Sequence, residues 1–91
     1  MQSTPPEQSL IEYPSQFPIK VMGGNVEGFV GAVLDIARQF DPLLDASLVE
    51  TRPSKGNKYL GVTVTVTATS REQLDGLYRA LSSHALVKVV L

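Results

Sequence analysis

From Val62 to Thr69 the chain alternates without a miss, with Val62, Val64, Val66 and Ala68 on one side and Thr63, Thr65, Thr67 and Thr69 on the other. A period of two in β-branched residues predicts a strand with one buried face. Just before it, Pro53-Ser54-Lys55-Gly56-Asn57 is a dense cluster of turn formers, and Glu50-Thr51-Arg52 can pair back as the preceding strand. A long hairpin therefore stands at the centre of the expected fold, and the remaining segments must cover its valine face.

Phe17, Ile19 and Val21 alternate with Pro18, Lys20 and Met22, predicting a first strand from Ser15 that stops at Gly23-Gly24. Asn25 is a good N-cap, and Val26, Phe29, Val30, Val33, Ala37 and Phe40 recur at helical spacing, so a helix is expected over 26–40. Asp41-Pro42 ends it, because a residue preceding proline is pushed out of the helical region. Ala46 to Arg52 reads as the second strand. Ser70 or Thr69 caps a second helix carrying Leu74, Leu77, Tyr78 and Leu81 on one stripe. A last strand over 86–91 is expected to put Val87, Val89 and Leu91 on one face and Leu86, Lys88 and Val90 on the other. The order βαββαβ, with right-handed crossovers, gives an α+β ferredoxin-like sandwich: a four-stranded antiparallel sheet in spatial order 4-1-3-2 with both helices on one face. Lys20, Lys88 and the threonine row are then expected on the helix-free face.

A chain of 91 residues holds one modest core, burying roughly 60–65% of its unfolded surface. Residues 15–91 are accordingly read as a single domain. Residues 1–14, with three prolines and no hydrophobic period, are read as a mobile arm. With no cysteine there is no thiolate chemistry and no cysteine zinc site. No stretch approaches the ~20 apolar residues of a membrane span, and the first fifteen residues lack a basic start and an apolar run, so a cytoplasmic protein is expected. The net charge of −1 is unevenly spread. Residues 1–50 carry −5, whereas residues 51–71 carry Arg52, Lys55, Lys58 and Arg71 with no acid.

No catalytic constellation is visible. His84 is the single histidine and falls in an expected turn, and the acids Glu27, Asp35, Asp41, Asp45, Glu72 and Asp75 are scattered in a way that solvated faces explain. No cofactor is implied, and a non-enzyme is expected. Two features remain as candidate sites. Gly23-Gly24-Asn25 joins a strand to an expected helix N-terminus, a geometry suited to an anion, although a tight turn with a cap explains the same residues. Arg52, Lys55 and Lys58, with Tyr59, surround the hairpin turn and suit an anionic or acidic partner; lysines protecting an edge strand are an equally good account.

Lys20-Val21-Met22-Gly23, Arg52-Pro53-Ser54-Lys55-Gly56-Asn57-Lys58-Tyr59, the alternation ending Thr67-Ala68-Thr69, and Val87-Lys88-Val89-Val90-Leu91 together resemble the YbeD-like family of small bacterial proteins. The resemblance spans about Tyr13 to Leu91, and its most specific piece is the P-S-K-G-N turn. The departures are the N-terminal extension, Gly24, and the acids Asp45 and Glu50. It implies no established activity, a fold similar to ACT domains, and a regulatory or accessory role. In ACT domains the ligand commonly sits at the glycine-bearing turn after the first strand, which here means Gly23, Gly24 and Asn25. A regulatory or adaptor domain binding a small metabolite or an acidic partner protein is thus the first expectation, with a homodimer through the open sheet face bringing Met22, Leu86, Val90 and Tyr59 together. A nucleic-acid accessory protein is the alternative. The sheet positions beside the threonines lack the stacking aromatics that single strands need, which weighs against it.

Overall fold

The computed structural model describes residues 12–91. The first eleven residues of the expected arm lie outside that range. Four strands, β1 (Ser15–Gly24), β2 (Glu50–Pro53), β3 (Tyr59–Ala68) and β4 (Val87–Val90), form one antiparallel sheet in the order β2-β3-β1-β4. Two helices, α1 (Phe29–Phe40) and α2 (Arg71–Ser82), cover one face. This is the expected ferredoxin-like βαββαβ arrangement.

The β1–β3 ladder runs ten pairs, from Ser15 opposite Ala68 to Gly24 opposite Tyr59. Its register turns Ile19 and Val21 to the same side as Val62, Val64 and Val66, and all five are fully buried. Against them α1 places Phe29, Val33 and Ala37 at a spacing of four, and α2 places Leu74, Leu77 and Leu81. Ser70 caps α2, its hydroxyl accepting from the Gln73 N–H at 3.0 Å.

Four expectations are corrected. Helix α1 starts three residues later than 26, at Phe29. Its N-cap is Gly28, with φ of 92°, and Val26 is half exposed in the preceding turn. Ala46–Leu48 is a 3-10 turn, and strand pairing begins only at Glu50. The cause is local, because the Asp45 carboxylate accepts from both the Ser47 hydroxyl and the Ser47 N–H, curling the chain where the alternation suggests extension. The same two donors, the hydroxyl foremost, hold the Asp45 carboxyl below its usual pKa.

The faces of β4 also differ from expectation. Val90 lies opposite Val21 and Val89 opposite Met22, but a register shift then sets Val87 opposite Gly23. This bulge turns Val87 and Val90 both toward the core, where Leu86 also packs, and leaves Val89 on the helix-free face. Finally, Asp41 is not on a solvated face. It is buried, and its Oδ2 accepts the Thr67 N–H at 2.8 Å, fastening the end of α1 to β3. Gln73 secures the same corner, donating to the carbonyls of Phe40 at 2.9 Å and Thr67 at 3.1 Å.

Candidate functional site

The two stretches singled out in the sequence meet at one end of the sheet. In the β2–β3 loop, Ser54 N–H donates to Tyr59 O at 2.8 Å, Asn57 N–H donates to Ser54 O at 2.8 Å, and the Ser54 hydroxyl accepts from Tyr59 N–H at 3.0 Å. Gly56 and Asn57 take φ of 85° and 62°, a left-handed pair that glycine and asparagine tolerate best. Asn25 then grips this loop. Its backbone N–H donates to Lys58 O at 3.0 Å, and its side-chain amide donates to Asn57 O at 3.1 Å.

That engagement changes what Gly23-Gly24-Asn25 can do. The Asn25 N–H is spent on Lys58, and the helix N-terminus lies beyond it at Phe29. Gly23 is required by packing, since a Cβ there would stand 2.2 Å from Leu86 O and 2.5 Å from the Phe29 ring. At Gly24 a Cβ would make only an ordinary van der Waals contact, 3.9 Å from Val26 Cγ1.

Arg52, Lys55 and Lys58 are all exposed around the braced turn, and Lys58 Nζ lies 5.6 Å from the centroid of the Tyr59 ring. Among the described residues the ion pair formed is Arg71–Asp75, at 3.7 Å, so none of the three cations has a carboxylate within salt-bridge reach. The edge beside them is blunted. Since Ser54 is a hydrogen-bonded partner of Tyr59, alternation directs the backbone N–H and C=O groups of Arg52 and Glu50 toward β3 and leaves those of Thr51 and Pro53 facing the open edge. Pro53 has no N–H, so Thr51 alone on β2 offers an outward donor.

On the helix-free face the cross-strand rows run Glu50–Thr63–Lys20 and Arg52–Gly61–Met22. They enclose a groove of about 680 Å³, lined also by Thr51, Pro53 and Ser54. Sequence order separates its three walls and hides it. Glu50 in this groove qualifies the view of residues 51–71 as a patch without acid. The expected apolar complement of this face is smaller than predicted, because Leu86 and Val90 pack into the core, while Met22 and Val89 remain. Tyr59 is 40% exposed at the rim, and the rest of β3 on that side is Gly61 and threonine.

His84 sits in the turn before β4, where its Nδ1 accepts the Leu86 N–H at 3.1 Å. Burial pushes the Tyr78 phenol up, and its hydroxyl donates to Leu91 O at 3.3 Å. Neither group borders the hairpin or the groove. Among the described residues no group of three or more His, Asp or Glu is arranged to hold a metal ion, and no helix is long and apolar enough to cross a membrane.

A family described as a protein of unknown function, DUF493, matches residues 8–91. A UPF0250 protein of Leptothrix cholodnii is 64% identical over 91 residues, covering all of both chains. A UPF0250 protein of Bordetella parapertussis is 58% identical, again over the whole of both. One from Ralstonia nicotianae is 58% identical over 89 residues, covering 98% of this chain and 92% of that one. Among solved structures, protein HP0495 from H. pylori superposes with a TM-score of 0.70 at 12% identity, covering 100% of this chain and 98% of the other. That likeness concerns the fold.

Proposed function

This chain belongs to the DUF493 family of proteins of unknown function, and on that premise we propose that it is a non-enzymatic adaptor or regulatory domain that docks an acidic surface of a partner protein on its β2–β3 hairpin tip. The observation that carries this is the brace of Asn25 on the carbonyls of Asn57 and Lys58. A turn needed only to keep an edge strand unpaired works as well when loose, and Pro53 already blunts that edge. A braced turn instead holds Arg52, Lys55 and Lys58 in a fixed pattern, which lowers the ordering cost of docking and focuses positive charge at one end of a chain of net charge −1. Tyr59, beside Lys58, adds an amphipathic contact of the kind enriched at interfaces. In this reading Asn25 serves as the support of the hairpin.

The test is affinity capture from the native cell with the wild-type chain and with Arg52→Gln, Lys55→Gln, Lys58→Gln combined. The proposal predicts an intact fold and loss of the wild-type protein partner in the triple variant. If the triple variant retains that partner with the same affinity and salt dependence, the hairpin is a protected edge only.

A further inference from the structure

We propose that the groove over Gly61 binds a small organic monocarboxylate carrying an apolar body. This goes beyond the hairpin docking, and only Arg52 belongs to both. Lys20 and Arg52 stand on the two strands that flank β3, opposite Thr63 and Gly61 respectively, so their backbones are about 12 Å apart, two strand spacings across and two residues along. Between them Gly61 leaves the middle of the sheet bare. A Cβ there would meet nothing closer than Arg52 O at 3.6 Å and Met22 Cγ at 4.0 Å, so crowding does not demand glycine. Glycine inside a Val/Thr strand weakens it, and it usually marks a bulge, a sharp bend or the close approach of another molecule. The ladders run through Gly61 without a register shift and its φ is not positive, which leaves the last.

The walls define the ligand. The Arg52 guanidinium offers a planar fork that matches a carboxylate, Lys20 lines the opposite wall and brings a second cation, and Thr63 supplies a hydroxyl on the Lys20 row. Glu50 lies two residues from Arg52 on the same face and pairs with neither cation within salt-bridge distance. Two cations against one fixed carboxylate leave a single positive charge to satisfy. A monoanion fits that balance, whereas phosphate or a polyanion brings excess negative charge against Glu50. Met22 gives apolar surface for the rest of the molecule, and a volume of about 680 Å³ lies within the usual range of small-molecule sites.

The full chain is titrated with hexanoate and benzoate, with hexanamide and inorganic phosphate as controls, and backbone amide shifts are followed by NMR. Saturable shifts at residues 20–22, 50–53 and 61–63 are expected, with a carboxylate binding roughly tenfold or more tightly than hexanamide, the scale of a charge-assisted hydrogen bond. Gly61→Leu fills the groove and weakens carboxylate binding by a similar factor, and Arg52→Gln does so without adding bulk. Glu50→Gln tightens carboxylate binding and admits phosphate. Lys55→Gln with Lys58→Gln leaves carboxylate binding unchanged, which separates this site from the hairpin. The proposal is overturned if hexanamide binds as well as hexanoate, if neither Gly61→Leu nor Arg52→Gln weakens binding, or if the Lys55/Lys58 pair of substitutions abolishes it.

Discussion

Asn25 donates its side-chain amide to the carbonyl of Asn57 at 3.1 Å, a hydrogen bond that spans 32 residues of sequence and ties the β1–α1 turn to the hairpin loop. With the companion bond from Asn25 N–H to Lys58 O, it makes one end of the sheet a single braced unit. Asn25→Ala removes only the side-chain bond and should cost about 1 kcal/mol. Hydrogen exchange gives the sharper readout, with amides of residues 55–58 exchanging faster while those of α2 are unchanged.

Asp41 and Thr67 form the counterpart at the other end. Asp41→Ala leaves the Thr67 N–H without its acceptor in a partly buried corner, for which about 1–3 kcal/mol of destabilisation is expected by chemical denaturation. Glu72→Ala, at an exposed position of α2, serves as the control and should change stability by less than about 0.5 kcal/mol.

The strand register makes a paired prediction. Val64 is fully buried, and its neighbour Thr65 lies half-buried on the helix-free face. Val64→Asp should destabilise by more than ~3 kcal/mol through a buried unpaired charge, and Thr65→Asp by far less. Equal melting temperatures for the two variants would contradict the register.

Gly61→Ala tests whether that glycine serves the fold. With ordinary van der Waals distances around the new Cβ, alanine should stabilise the chain by about 0.4–1 kcal/mol in thermal unfolding. A loss of stability would mean that the backbone itself needs glycine there.

The uninterrupted Val/Thr alternation of β3 made the centre of the fold legible in the sequence, as did the stripes Phe29-Val33-Ala37 and Leu74-Leu77-Leu81. What escaped reading depends on partners far away or on local polar competition. Asn25 looked like a helix cap, because its residue type suits one, but its hydrogen bonds go to a loop brought near only by the β1–β3 ladder. Asp45 and Ser47 close a turn inside a segment that alternates weakly. The bulge opposite Met22 and Gly23 reversed the facing of half of β4, and nothing in Val87-Lys88-Val89-Val90 marks it. The hairpin cations were visible as a charge run, while the groove was not, since Lys20, Glu50, Arg52 and Gly61 come from three strands.

The most direct measurement of the hairpin's role is an NMR titration of the full chain with poly-glutamate, beside a single-stranded oligonucleotide of equal charge. The account predicts saturable shifts at residues 52–59 with poly-glutamate, weaker binding of the oligonucleotide, and loss of the poly-glutamate shifts when Arg52, Lys55 and Lys58 are all replaced by Gln. Retention of poly-glutamate binding in that triple variant with unaltered affinity and salt dependence, or tighter binding of the oligonucleotide by the wild-type chain, would contradict it.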